Sequence, residues 1–325
     1  MILVIGEALI DLIGEADSGG KYQAVVGGAN ANVALALARR GEEQRFLGRI
    51  SGDGFGKQIR QHLASNGVNL ELSINASEQT SLAVATIDGS GVASYSFYVD
   101  GTADWGWTPD ELPSLEAVAE LGTKAVQYGC LGMAIEPGNV IIEAWLRQLH
   151  EAGNVTLSHD LNIRSALGFE RESELARVLR LNEISHIIKA SDADIEWLYE
   201  RAEGTDLDDI AFGWAKTGKL VIITRGSEGA YLYHNGQKLH AAAPKINLID
   251  TVGAGDTFMA NFLGELQLHD GLGDSPATRI ERLSEDDLIA SAELAAVAAG
   301  IVCERQGCQP PSLKETTQRL QGSVE

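Results

Sequence analysis

The strongest chemical signal in the sequence is an aspartate that follows two glycines, in the string Asp250-Thr-Val-Gly-Ala-Gly-Asp256. Gly253 and Gly255 remove side chains from a tight bend, and apolar residues at helical spacing follow. The string therefore predicts a turn into a helix, whose first N–H groups and positive dipole end attract anions. Asp256 would lie beside a docked anion, where a carboxylate can take a proton from a hydroxyl group. The alternative is an ordinary loop in which Asp256 caps the helix.

A second glycine turn lies near the N-terminus, in the string Gly27-Gly-Ala-Asn-Ala-Asn32. An Ala- and Leu-rich run follows and ends at Gly41, which predicts another helix with a C-terminal glycine. Asn32 falls in the first turn, where its amide can meet a ligand hydroxyl, although a plain helix cap is the alternative. Upstream, Asp11 continues the buried strand of residues 2–5 and is either a capping group or a ligand for polyols.

The composition excludes several classes of protein. The 325 residues are 44% hydrophobic and 22% charged, with a formal net charge of −21. The sequence has no cluster of Lys and Arg of the kind that would predict a nucleic-acid partner. No apolar run approaches membrane-spanning length, and the N-terminus lacks the basic region of a signal peptide. The three cysteines have no metal-binding spacing and fit a reducing, cytoplasmic location.

The second half of the chain alternates between short apolar runs and amphipathic runs. This alternation predicts a parallel sheet with helices on both faces, in which ligands gather beyond the carboxyl ends of the strands. Several polar strings lie at those ends, including Asp160-Leu-Asn-Ile-Arg164 and Thr224-Arg-Gly-Ser-Glu-Gly229. The predicted strands are residues 125–128, 155–159, 186–189 and 220–224, and the predicted helices are 139–150, 173–180, 192–199 and 207–216.

A hairpin is predicted between the two halves, because residues 82–87 and the alternating residues 93–99 flank an Asp-Gly-Ser-Gly turn at 88–91. Phe97 lies in the second arm. An ordinary edge hairpin and a lid over a ligand are both compatible with this pattern.

Taken together, the two glycine strings resemble the paired signatures of the ribokinase-like (PfkB) carbohydrate kinases, and most closely those of bacterial fructokinases. The resemblance extends from Gly6 to Pro311. It implies an α/β fold of three layers, with a mostly parallel central sheet flanked by helices and a small β-strand lid. It also implies a single kinase domain over residues 1–325, with lid strands inserted from about 11–26 and 81–104. Such lids often pair in a homodimer.

The resemblance implies transfer of the γ-phosphoryl group of ATP, with Mg²⁺, to a primary hydroxyl of a sugar. Asp256 would be the base, and Gly253, Ala254 and Gly255 would form the anion-binding turn with it. The implied sugar contacts are Asp11, Gly27, Gly28, Asn32, Phe97, Arg164 and Asp256. The implied nucleotide contacts are Ser191, Thr224, Gly226, Gly229, Gly253 and Gly255, with Asp194 in the outer shell of the magnesium ion.

This chain departs from the family pattern at several of these positions. The family often has Arg where this sequence has Val99, and it usually has Asn and Glu where Ser191 and Asp194 stand. The strings at 101–104 and 189–191 favour fructose as the sugar. A 2-keto-3-deoxygluconate kinase, another sugar kinase or a nucleoside kinase with an aromatic lid remains open.

Two alternatives of a different class were weighed against a kinase. A non-catalytic sugar sensor would be expected to have lost the base or the anion turn, and both are present. A dinucleotide-dependent enzyme would need a Gly-x-Gly-x-x-Gly turn after the first strand, and Gly6-Glu-Ala-Leu does not provide it.

Overall fold

The computed structural model describes residues 1–14, 20–87, 93–216 and 218–322 of the chain. The hairpin turn expected at 88–91 lies outside the described residues. The strands are β1 (Ile2–Ile5), β2 (Leu9–Gly14), β3 (Tyr22–Gly27), β4 (Gln44–Leu47), β5 (Arg49–Ser51), β6 (Ile74–Ala76), β7 (Leu82–Ile87), β8 (Ala93–Tyr98), β9 (Ala125–Gly129), β10 (Thr156–Asp160), β11 (Ile187–Ser191), β12 (Leu220–Thr224), β13 (Ala230–His234) and β14 (Gln237–Ala241). The helices are α1 (Ala29–Arg40), α2 (Gly54–Ser65), α3 (Leu115–Glu120), α4 (Gly138–Ala152), α5 (Arg171–Ile184), α6 (Asp192–Tyr199), α7 (Asp208–Ala215), α8 (Ala254–Leu268), α9 (Pro276–Glu281), α10 (Glu285–Cys303) and α11 (Leu313–Gly322).

The central sheet of the described chain has the strand order β14-β13-β12-β11-β10-β9-β1-β4. Strands from β12 to β4 run parallel, and only β13 and β14 at one edge are antiparallel. The carboxyl ends of β1, β9, β10, β11 and β12 therefore share one edge of the sheet, which is where parallel sheets bind ligands.

Helices cover both faces of this sheet, and the strand sequences show why. In β1, Ile2 and Val4 belong to the core cluster that includes residues of α1, α8 and α10. Leu3 and Ile5 belong instead to the cluster that includes residues of α4 and α5. Because side chains alternate between the faces of a strand, a continuous apolar run is needed when both faces are buried. The predicted fold of three layers is confirmed.

A second, four-stranded sheet has the order β3-β2-β7-β8 and forms the lid. Its strands overlap the stretches 11–26 and 81–104, although β2 begins at Leu9 and β3 ends at Gly27. The expectation that Asp11 continues the first strand is wrong, because β2 leaves the central sheet after Gly6 and pairs with β3 and β7. The short strands β5 and β6 and the six-residue helices α3 and α9 carry too few residues for a periodic signal, and the sequence did not predict them.

Asp53 caps α2, because its Oδ1 accepts from the N–H of Gly56 at 2.8 Å. Within the part of the chain that the structure describes, no helix combines the length and apolar character needed to cross a bilayer.

Candidate active site

Asp256 lies in the first turn of α8, which starts directly after a glycine in the left-handed region of backbone space. Gly253 has a φ of 77°, and a β-carbon at this position would lie 2.3 Å from the Sγ of Cys308. Only glycine satisfies both the backbone angle and the close contact. The turn predicted from the sequence therefore has a steric reason at Gly253.

A narrow cleft lies beside Asp256. It lies where the ends of β9 and β10 meet the first turns of α1 and α8. Its walls include Asn30, Cys130, Asp160 and Asn162. The carboxyl edge of the central sheet thus brings the two glycine signatures to one site.

The Asp256 carboxyl group is buried, with 5% of the residue exposed. Its Oδ2 accepts from the Nδ2 of Asn32 at 2.8 Å, and its Oδ1 is 3.4 Å from the Nδ2 of Asn162. Burial raises the pKa of Asp256 to about 7, partly opposed by the Asn32 hydrogen bond and by the charges of Arg164 and Lys189. A carboxylate that titrates near neutral pH is suited to act as a general base.

The start of α8 also offers backbone donors. The first N–H groups of a helix have no acceptor within the helix. Here the N–H of Ala254 donates to the carbonyl of Thr251 at 3.2 Å, so Ala254 contributes less to the anion turn than the sequence suggested. The N–H groups of Gly255 and Asp256 are the donors best placed to bind an anion.

A buried ion pair lies below this turn. The Nζ of Lys189 contacts both carboxyl oxygens of Asp160 at 2.9 and 2.8 Å. A β-carbon on Gly255 would lie 3.3 Å from the same Nζ. The pKa of Lys189 is raised by the charge of Asp160, although burial alone would lower it. Lys189 therefore places a positive charge next to the anion turn, which the sequence analysis did not anticipate.

Arg164 adds a second positive charge to the cleft. It follows β10 in a loop, and the nearby Asp160 pairs with Lys189. The pKa of Arg164 is raised by the Cys130 sulfur and also by the Asp256 carboxylate. Its charge in turn lowers the pKa values of Asp11 and Asp256 against the effect of burial. Arg164 therefore acts electrostatically on both predicted sides of the site.

The two glycines of the first signature pack closely against Asp11 and Glu7. A β-carbon on Gly27 would lie 2.1 Å from the Oδ2 of Asp11, and one on Gly28 would lie 2.6 Å from the carbonyl oxygen of Glu7. Gly28 is therefore required by its backbone contact and its φ of 106°, whereas a β-carbon at Gly27 would displace the Asp11 carboxyl group. Asp11 is half-buried in β2, and burial raises its pKa to about 6.

Phe97 in β8 is half-buried and packs on a cluster at the base of the lid that includes Leu9, Ala83 and Leu131. The lid thus brings an aromatic ring to the same end of the molecule as Asp11.

The predicted nucleotide residues lie farther along the same edge of the sheet. Ser191 and Thr224 are register partners at the ends of β11 and β12. Gly226 begins the next turn with a φ of 47° and open space around it. Gly229 is buried, and a β-carbon there would lie 2.1 Å from the carbonyl of Ala241. Gly229 therefore has a packing role whether or not it binds a nucleotide.

Asp194 forms a capping box with Ser191 at the start of α6. Its Oδ2 accepts from the N–H of Ser191 at 2.8 Å, and its Oδ1 accepts from the N–H of Ile163 at 2.7 Å. Each carboxylate oxygen keeps one lone pair, so contact with an ion through water is compatible with this geometry.

Sequence reasoning missed Glu7, which supports the site from below. Glu7 is 1% exposed and accepts from the N–H of Ala29, the amide of Asn30 and the N–H of Gly132, at 2.9 to 3.0 Å. Asn162, with a positive φ of 42°, and Lys189 were quoted within strings but not singled out. The available signals were the position of Asn162 just after an apolar strand and that of Lys189 at the end of a predicted strand.

Comparison with known proteins agrees with this geometry. Residues 1–315 match the family described as pfkB family carbohydrate kinase. A fructokinase from Rhizobium leguminosarum bv. trifolii is 34% identical over 272 residues, covering 82% of this chain and 80% of that protein. A fructokinase from Klebsiella pneumoniae is 31% identical and covers 85% of this chain and 87% of its own.

Solved structures share the fold. Fructokinase from Xylella fastidiosa with bound ATP superposes with a TM-score of 0.88 at 23% identity, covering 100% of this chain and 99% of that one. Fructokinase from Vibrio cholerae O395, in a form with fructose, ADP and calcium ion, gives a TM-score of 0.80 at 22% identity and covers 98% and 97%. The fold and the site define a phosphotransferase with an alcohol acceptor. The chain belongs to the pfkB family of carbohydrate kinases.

Proposed function

We propose that this chain is an ATP-dependent sugar kinase that transfers the γ-phosphoryl group of ATP to a primary hydroxyl of fructose. The observation that carries this proposal is the buried Asp256 carboxylate, which lies next to the glycine turn at the start of α8. The names of the curated relatives support fructose as the acceptor.

In the proposed mechanism, the sugar hydroxyl gives its proton to Asp256 as its oxygen attacks the γ-phosphorus. The bond between the γ-phosphorus and the oxygen that bridges it to the β-phosphorus breaks, and ADP leaves. The N–H groups of Gly255 and Asp256 stabilise the charge on the transferring group, and so do the cations of Lys189 and Arg164. Positioning and charge compensation account for most of the rate in such a reaction.

The sugar would lie between the lid and the cleft. Asp11 and Asn32 would bind its hydroxyls, while Gly27 and Gly28 let the backbone approach and Phe97 covers the ring. ATP would lie along the ends of β11 and β12, with its terminal phosphate at Gly253 and Gly255. Ser191, Thr224, Gly226 and Gly229 are the proposed nucleotide contacts, since they share that edge.

Magnesium is proposed to accompany ATP. No group of three or more His, Cys, Asp or Glu among the described residues forms a ready metal cage. Mg²⁺ is commonly held by substrate phosphates, water and one or two carboxylates, and the free lone pairs of Asp194 fit an outer-shell role. The ion would neutralise charge on the ATP phosphates.

We also propose a homodimer and a cytoplasmic location. The lid sheet ends at the edge strands β3 and β8, where Tyr22 and Tyr98 are 48% and 62% exposed. Pairing of two lids in a homodimer would cover these side chains, and sedimentation velocity would measure the mass. A cytoplasmic location fits the three free cysteines.

The test is ADP release, coupled to a dehydrogenase, with fructose, 2-keto-3-deoxygluconate, ribose and a nucleoside compared at equal concentration. The proposal expects the largest kcat/KM with fructose and a phosphate on a primary hydroxyl of the product. Preference for another acceptor would refute fructose. A complete lack of ADP release with all of these acceptors, combined with calorimetric sugar binding, would indicate a non-catalytic sensor.

A further inference from the structure

A buried chain of hydrogen bonds runs through the base of the lid. The Oγ1 of Thr102 is 2.9 Å from the carbonyl oxygen of Val99 and 2.5 Å from the Oγ of Ser81. The Oγ of Ser81 is in turn 2.5 Å from the Oδ2 of Asp104, and the Oδ1 of Asp104 accepts from the N–H of Ala8 at 2.9 Å.

Counting protons along this chain fixes the state of the carboxyl group. The Val99 carbonyl can only accept, so the single hydroxyl proton of Thr102 is used there. Ser81 must then donate to Thr102, which uses its only proton. The contact between Ser81 and Asp104 therefore needs a proton from the carboxyl group. If Asp104 were ionised, two oxygens of the chain would be in contact with no hydrogen between them.

The surroundings favour a neutral carboxyl. Asp104 is 2% exposed, and burial raises its pKa to about 7 against the effect of its contacts with Ser81 and Ala8. The charge of Glu7 adds to the rise. From β5, Arg49 donates to the carbonyl of Ala103 at 2.8 Å, but Glu78 and Glu111 already pair with its charge. From the start of α4, the uncharged Gly138 packs against Trp105.

We propose that Asp104 is a positioning residue that holds its proton in the native state and fastens the base of the lid to the central domain. Ser81 precedes β7, and its carbonyl also accepts from the N–H of Ile10 at 3.1 Å. Asp104 thus holds both Ala8 and Ser81, which directly precede the paired parallel strands β2 and β7. Strand β2 carries Asp11. Its effect on the sugar site rests on the proposed function, whereas its protonation does not.

The Asp104→Asn variant imitates a protonated carboxyl, because its amide can donate to Ser81 while its oxygen accepts from Ala8. We expect the infrared spectrum of the wild type near pH 6 to contain a protonated-carboxyl carbonyl band that Asp104→Asn lacks. In Ser81→Ala the same band should remain but shift, since the carboxyl loses its acceptor. Identical carboxyl bands in the wild type and Asp104→Asn would overturn the proposal, and so would an unshifted band in Ser81→Ala.

Unfolding measurements test the same proton independently. The unfolded chain ionises Asp104 near pH 4, while the native chain keeps it neutral up to about pH 7. The stability of the wild type relative to Asp104→Asn should therefore decline as the pH rises between these values and be constant above them. A stability difference that does not change with pH would contradict a protonated Asp104.

Kinetics test the positioning role. In Asp104→Leu, which keeps the branched shape of the side chain but not its hydrogen bonds, KM for the sugar should rise about tenfold with a smaller change in kcat. The wild-type KM should rise above about pH 7, where Asp104 loses its proton. Asp104→Asn should keep KM within about threefold of the wild type at lower pH and should not show this rise. Equal KM values in the two variants would refute the positioning role. If no sugar is phosphorylated at all, the proposed function fails, while the infrared result still decides the protonation.

Discussion

The Nδ2 of Asn32 donates to the Oδ2 of Asp256 across 2.8 Å, although 224 residues separate them in the sequence. This bond joins the first turns of α1 and α8. At the other end of α1, the Nη1 of Arg40 is 3.3 Å from the Oδ1 of Asn261 in α8. The two helices that follow the glycine signatures therefore lie side by side and run in the same direction.

The Asn32 hydrogen bond should set the pH dependence of the reaction. Burial raises the pKa of Asp256 to about 7, and the Asn32 bond opposes this rise. The wild-type kcat/KM should therefore fall as the pH is lowered through about 7, because a protonated Asp256 cannot accept a proton. Asn32→Ala should move this acid limb to higher pH by up to about one unit.

The pH profile of kcat/KM measures this shift, and Asn162→Ala is the matched control. Its amide is 3.4 Å from Asp256, so its shift should be smaller. An acid limb that stays in place in Asn32→Ala would contradict the role given to this bond.

The two glycines of the anion turn should respond differently to alanine. Gly253→Ala introduces a β-carbon 2.3 Å from Cys308 at a φ of 77°, so we expect a displaced turn and a loss of about 1–3 kcal/mol of stability. A β-carbon at Gly255 meets the flexible end of Lys189 at 3.3 Å, so this variant should fold well. Chemical denaturation compares the two, and equal losses of stability would contradict the steric argument.

The buried pair of Lys189 and Asp160 should behave as a unit. Lys189→Met leaves the Asp160 carboxyl buried without its partner, and we expect a loss of about 3–5 kcal/mol. The double variant Lys189→Met with Asp160→Asn should recover part of this loss, because no unpaired charge remains. Strictly additive losses in denaturant melts would show that the pair is not coupled.

Arg40 should be important for stability even though it lies far from the cleft. Its side chain is fully buried between α1 and α8, where it contacts Glu42, Glu265 and Asn261. Arg40→Met should destabilise the protein by about 3 kcal/mol. Arg45→Met is the control, since it removes only an exposed pair with Glu71 and should cost less than about 1 kcal/mol. Similar melting temperatures for the two variants would contradict this expectation.

Sequence patterns predicted much of the fold because its elements are long and strongly periodic. Helix α6 and strands β7 and β12 have the predicted bounds. The position of β2 was missed because a run of apolar residues does not show which sheet a strand joins. Gly6, with a φ of 153°, separates β1 from β2, but a single glycine does not indicate that the next strand joins a different sheet.

The residues that were singled out lie at one edge of the sheet, while the partners that tune them were largely unseen. In the sequence, Lys189 looks like an ordinary strand residue. Its ion pair with Asp160 depends on the register between β10 and β11. Glu7 and Asp104 are acids whose significance comes from burial. Tertiary burial and register cannot be derived from the local pattern of a single sequence. The roles of the sugar and nucleotide residues stay predictions until variants are measured.

The most direct test of the account is the turnover of Asp256→Asn, measured by coupled ADP release and paired with calorimetric titration of fructose. The amide keeps the shape of Asp256 but cannot accept the hydroxyl proton. We expect sugar binding close to that of the wild type and a kcat lower by about two to four decades. A variant that binds fructose and turns over at the wild-type rate would contradict the assignment of Asp256 as the base.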